Sequence, residues 1–212
     1  MKKDVSFIVC LAVASICTGF VYSAEAKEKN DAGSPAKHVL MLGLSDNVKS
    51  NYFYKGLIAE ETGIKENVIG SEYNAIIMEN IAEQSKGECV FIPVSPGQTD
   101  AMLEREIKVN GEGDECYSDI SSVPAEEFQQ ALATAGADYL LVLNQHYLKW
   151  QETPLRTLFH IVSYTLFDKD KKEVCRGNHY FTCMNLERSD RLRKISRKAS
   201  ARIASAIMSQ VK

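Results

Sequence analysis

The sequence predicts an α/β (α+β) fold, a small mixed β-sheet backed by helices, in the order β-α-α-β-(insert)-α-β-β-β-α. Three observations predict it. Short apolar runs alternate with stretches of helical periodicity through the first two thirds of the chain. Two β-branched and aromatic segments, Thr157–Phe167 and Glu173–Cys183, flank the turn-forming Asp168-Lys169-Asp170-Lys171. The last segment, Ser189–Val211, carries Leu192, Ile195, Ala199, Ile203, Ala206 and Ile207 on one stripe, with its basic residues mainly elsewhere.

Each element has its own local cause. His38–Leu44 (HVLMLGL) is a buried first strand, ended by Ser45-Asp46-Asn47. Asn51–Thr62 places Phe53, Leu57, Ile58 and Glu61 at helical spacing, and Gly63 stops it. Ser71 is a suitable N-cap for a second helix with Tyr73, Ile76, Ile77 and Ile81 on one face, ended by Gly87. Cys89–Val94 comes next as a strand, so the first two strands should be parallel across a helical crossover.

Residues 95–122 read as an excursion. Ala101–Lys108 fits one short helix; alternatively Glu106–Val109 and Cys116–Ile120 pair around Asn110-Gly111. Order returns at Ser122-Val123-Pro124, where Pro124, Glu126 and Glu127 suit a helix start and Gly136 its end. Phe128, Leu132 and Ala135 form its inner face, and Asp138–Tyr147 is the next strand.

The amino terminus fixes the compartment. Lys2 and Lys3 precede an apolar run from Val5 to Tyr22, and Ala24-Glu25-Ala26 is a small-x-small cleavage site. Residues 1–26 are therefore expected to be a secretory signal, 27–37 a polar linker, and 38–212 one domain. The run of about 18 residues is also near the lower limit for a membrane anchor. Lipidation would use Cys17, but the bulky Ile16 before it suits a lipobox poorly. Membrane association is expected only through an uncleaved signal or such a lipid. A net charge of −3 gives no electrostatic footprint for nucleic acid.

This order resembles the α/β domain shared by the curli-secretion lipoprotein, the lipoprotein activators of penicillin-binding proteins and the amino-terminal domain of the Tol-Pal β-propeller protein. The residues that carry the resemblance are Ala135-Gly136-Ala137-Asp138 running into Tyr139-Leu140-Leu141-Val142, and the later turn Phe167-Asp168-Lys169-Asp170-Lys171-Lys172-Glu173-Val174. It covers Ala125–Val211 well and His38–Val94 in outline. The chain departs from that pattern at its lipidation cysteine, and no second domain is expected after it. The resemblance implies a non-catalytic, envelope-associated interaction module with no cofactor. The expected partner is another envelope protein or an envelope polymer, and no small-molecule substrate is evident.

No phosphate loop, His-Glu-x-x-His, Gly-x-Ser-x-Gly or close Cys-x-x-Cys pair is present in the sequence. A Cys–His hydrolase could be assembled from Cys89 or Cys183 with His146 or His160, but exported cysteines more simply oxidise. The protein is therefore expected not to be an enzyme. The alternative is an exported metal-binding protein or enzyme that uses strand histidines. A turn near Thr153 would set His146 opposite His160, and one at Lys169-Asp170 would set His160 opposite His179. Three imidazoles in a row could bind zinc or copper. Because each register can slip, the expectation is no metal.

Four cysteines lie beyond the signal, enough for two disulfides, though four buried thiols would also fit. Cys175 and Cys183 lie on one predicted strand, roughly 26 Å apart at strand rise, whereas a bridge needs Cα atoms within about 7 Å. Cys89–Cys116 would close a loop of about 27 residues and remove roughly 3–4 kcal/mol of unfolded-chain entropy, making it the expected bridge. Tyr52-Phe53-Tyr54 and Trp150 could mark a binding surface or simply pack. The bases Arg191, Arg193, Lys194, Arg197, Lys198 and Arg202 could touch acidic polymers or lipid headgroups, or form a solvated helix face.

Overall fold

The computed structural model describes residues 35–94 and 101–211. The expected signal and most of the linker lie outside them. The elements run β1 (Lys37–Gly43), β2 (Val48–Ser50), α1 (Lys55–Thr62), α2 (Ile69–Ala82), β3 (Cys89–Pro93), α3 (Ala101–Glu106), β4 (Lys108–Asn110), β5 (Tyr117–Asp119), α4 (Ala125–Ala135), β6 (Tyr139–Gln151), β7 (Thr157–Asp168), β8 (Glu173–Cys183) and α5 (Ser189–Met208). The main sheet has the order β3-β1-β6-β7-β8, and β2 adds to β6. β1 pairs in parallel with β3 and β6, and β7 and β8 continue antiparallel from β6. The fold is mixed α/β, as the sequence predicts.

The pleat sorts the side chains to two faces. Val39, Met41, Leu141, Leu143 and Leu166 join Tyr73, Ile76 and Ile77 of α2 and Leu192, Ala199 and Ile203 of α5 in one buried cluster. Leu40, Leu42, Leu140, Val142 and Phe167 join Phe128 and Leu132 of α4 and Leu103 of α3 in the other. Each fully buried Leu, Ile or Phe contributes roughly 1.5–3 kcal/mol relative to exposure, so the sheet is held from both sides.

Several local expectations shift. β2 is a strand not anticipated from the sequence, because three residues carry too little periodicity. α2 begins at Ile69 rather than at Ser71, whose hydroxyl instead donates to Val68 O (3.0 Å). It ends at Ala82, before Gly87. Gly63 and Gly136 do end α1 and α4, with φ of 76° and 62°. Both readings of the excursion hold together: α3 forms, and β4 then pairs with β5.

A β-bulge in β6 decides which way its second half faces. The β6–β7 register shifts between Leu143 and Gln145, leaving Asn144 as the extra residue. Asn144 and Gln145 consequently both face the α4 side, and His146, Leu148 and Trp150 return to the α2 side. The two amides anchor the excursion. Asn144 Nδ2 donates to Cys116 O and to Thr165 Oγ1, both at 3.1 Å, and Ser118 Oγ donates to Asn144 Oδ1 (2.7 Å). Gly113 N donates to Gln145 Oε1 (2.7 Å). These bonds satisfy polar groups that would otherwise be stranded under the loop.

Candidate functional site

Two of the three strand histidines, His146 and His160, and one cysteine meet beside Tyr73 of α2. His146 pairs with Val162 and His160 with Leu148, so the β6–β7 register sits two residues from the expected one. His179 pairs with Val162 and Phe181 with His160, a two-residue displacement in the second hairpin as well. The β6–β7 connection is centred on Pro154 rather than Thr153. The β7–β8 turn spans Asp168–Lys172, with Lys171 in the left-handed region (φ 64°). An even displacement keeps every side chain on its face, which is why the imidazoles still converge in part.

His146 Nε2 lies 2.9 Å from His160 Nδ1, and His160 Nε2 lies 3.2 Å from Cys183 Sγ. Cys183 Sγ also donates to Asn185 O (3.0 Å). Phe181 stacks on His160 at 4.6 Å, and Tyr73 of α2 sits edge-on to His146 at 4.8 Å. His146 Nδ1 and the Tyr73 hydroxyl are buried without a hydrogen-bond partner.

Burial sets the electrostatics. It pulls the His146 pKa down to about 3. It also holds His160 well below the usual imidazole range, with His146 adding to the effect. Burial, then the Glu187 carboxylate, pushes the Cys183 thiol up to about 12. At neutral pH the three groups are uncharged. A nucleophilic cysteine needs a thiolate stabilised by a nearby cation, and this environment favours the thiol.

The arrangement is a line, not a chelate. His160 directs its two ring nitrogens at different neighbours, so His146, His160 and Cys183 do not point their donor atoms at one centre. Among the described residues no group of three or more His, Cys, Asp or Glu side chains is arranged to hold a metal ion. His179 stands apart, half-buried, its pKa lowered first by burial and then by Arg202 of α5.

Cys89 and Cys116 are not brought together. Cys89 opens β3 in the α2–α5 core, whereas Cys116 lies near Ser163 on the opposite face, so the sheet separates them. All four described cysteines are free thiols.

The aromatic residues do assemble. Asn51 clasps Trp150 through two bonds, Nδ2 to the Trp150 carbonyl (3.1 Å) and Trp150 N to Oδ1 (2.7 Å). Tyr52 stacks on Trp150 at 5.9 Å, and Phe53 meets its edge at 5.8 Å. Tyr52 is 60% exposed and Tyr54 68%, so an aromatic face stands open at the end of β6. Of the basic residues on α5, Arg191 pairs with Glu187, Arg193 with Glu79 and Arg197 with Glu83.

The sequence did not reveal Tyr73 as a neighbour of the histidines, nor Asn144 and Gln145 as anchors. The two amides left a signal, since they interrupt an apolar strand side by side.

No protein-family model matches the sequence, and no curated protein matches it. Among solved structures, the chain is similar to the PelC dodecamer from Paraburkholderia phytofirmans, at 10% identity over 82% of this chain and 90% of that one, with a TM-score of 0.40. It is also similar to the hypothetical protein CT253 from Chlamydia trachomatis, at 9% identity over 82% and 97%, TM-score 0.47. A third is the LpoB C-terminal domain from Salmonella enterica, at 11% identity over 71% and 85%, TM-score 0.34. At these scores the likeness is one of outline and does not place the chain in a family.

Proposed function

We propose that the protein is an exported, non-catalytic interaction module of the cell envelope, whose partner is another envelope protein or an envelope polymer. The observation that carries this reading is the open aromatic face of Tyr52 and Tyr54, with Tyr52 braced on Trp150. Exposed tyrosines on a rigid base are well suited to binding, because little side-chain freedom is lost on contact. The amino-terminal pattern of Lys2, Lys3, Val5–Tyr22 and Ala24-Glu25-Ala26 supports export. The neutral state of the half-buried Cys183 and of the buried His160 and His146 favours a structural role for them over a nucleophilic one.

The test is a pull-down from cell envelopes with wild type and with a Tyr52→Ala/Tyr54→Ala variant of equal stability. The variant should lose the partner retained by wild type, since truncating a contact tyrosine at a hot spot costs about 2 kcal/mol or more. Equal retention by both would exclude this face as the contact.

A further inference from the structure

The hydrogen-bond direction in the His146–His160–Cys183 line can be worked out from its ends. Asn185 O only accepts, and it lies 3.0 Å from Cys183 Sγ, so the thiol proton points there. The sulfur is then an acceptor, and His160 Nε2 must carry the proton that faces it at 3.2 Å. A neutral imidazole has one N–H, so His160 Nδ1 accepts, and His146 Nε2–H donates to it across 2.9 Å. That leaves His146 Nδ1 as a bare lone pair, in keeping with its lack of any partner. The opposite direction would strand an N–H at that buried position, which is the costlier arrangement, whereas the carbonyl of the exposed Asn185 can turn to water.

The core offers nothing to neutralise a charge at His146. From α2 the facing titratable group is Tyr73, itself held protonated by burial. From β8 it is Cys183; Glu187, which acts on that thiol, is engaged by Arg191. His179, also on β8, is neighboured by the cationic Arg202 of α5. From β6 and β7 they are the imidazole pair and Tyr164, which burial also keeps protonated. Among the described residues no carboxylate bonds either ring. A proton that enters therefore creates an unpaired buried charge, and water can reach it only if the overlying helix lifts.

We propose that this line is an acid-sensitive latch, in which proton uptake at His146 Nδ1 releases the Tyr73 segment of α2 from the imidazoles of β6 and β7. Its consequence is local. Tyr73, whose ring centre lies 4.8 Å from that of His146 and 6.3 Å from that of His160, is the residue set free first.

Two measurements on the exported protein test this. Nitrogen NMR of the histidines at neutral pH should show both His146 and His160 as the Nε2–H tautomer. Hydrogen exchange from pH 7 to pH 4.5, corrected for intrinsic rates, should show the opening constant of Tyr73–Ile77 amides rising about tenfold per pH unit below the unfolded histidine value of about 6.5. The amides of α4, on the other face of the sheet, should not change with it. A His146→Phe variant should flatten the α2 slope. An Nδ1–H tautomer at His146 would overturn the proposal, as would equal slopes in wild type and variant or simultaneous loss of protection everywhere. The tautomer measurement needs no variant, so a His146→Phe chain that failed to fold would not shield the proposal.

Discussion

Replacing Asn144 with Ala should detach the excursion from the sheet. The side chain makes three buried hydrogen bonds, to Cys116 O, Thr165 Oγ1 and Ser118 Oγ, at 3.1, 3.1 and 2.7 Å. Thr165 Oγ1 keeps a second partner in Ser118 N (3.1 Å), so the truncation strands two groups fully, the Cys116 carbonyl and the Ser118 hydroxyl. At about 1–3 kcal/mol for each stranded buried group, the loss is roughly 2–6 kcal/mol, with water entry into the vacated space drawing it toward the lower end. Urea denaturation should give a midpoint lower by about 1–3 M, for a slope of about 2 kcal/mol/M. Hydrogen exchange should rise first in residues 108–119. A loss under about 1 kcal/mol, or a loss with no local rise in exchange there, would refute the anchoring role.

Three further outcomes are expected from the same structure. Gly70→Ala places a Cβ 2.0 Å from the Ser45 carbonyl oxygen, a backbone atom that cannot turn aside, and thermal melts should show a loss of roughly 1–3 kcal/mol. Cys183, with a thiol pushed up to about 12, should react with iodoacetamide at pH 7 about a thousandfold more slowly than an unperturbed cysteine, as read by mass spectrometry. For His146 the folded value is depressed to about 3, so the unfolded chain binds the extra proton. Its stabilising contribution is fully present above about pH 6.5 and is lost as pH falls toward 3, by about 1.4 kcal/mol per unit, which denaturation curves at pH 7 and 5 should reveal.

The strand and helix order was readable because the apolar periodicities are strong where the core is thick. His38–Leu44 and Leu140–Val142 are buried on both faces, and α5 keeps one stripe. Register was not readable, because the turns that set it depend on local backbone conformation, such as the left-handed Lys171, that no residue there advertises. The histidine array was legible to the extent that parity survives an even displacement. His146 and His160 meet, while His179 lies one pair away. The Cys89–Cys116 expectation relied on loop length, on an excursion with little core of its own, and on the distance between Cys175 and Cys183 along one strand. Sequence distance carries no information on which face of the sheet a thiol occupies, and here the two faces differ. The aromatic face at Tyr52 and Trp150 joins residues about a hundred positions apart through the unanticipated pairing of β2 with β6.

The proposed role requires the Tyr52–Tyr54 face to be a contact surface in the envelope. The direct measurement places a photoreactive amino acid at Tyr52 in cells that export the protein, with the exposed α5 residue Lys198 as the control position. A discrete crosslinked product is predicted from position 52. It should be missing from position 198 and should disappear when Tyr54 and Trp150 are both replaced by Ala in a folded chain. No product from position 52, or the same product from both positions, would contradict the proposed role.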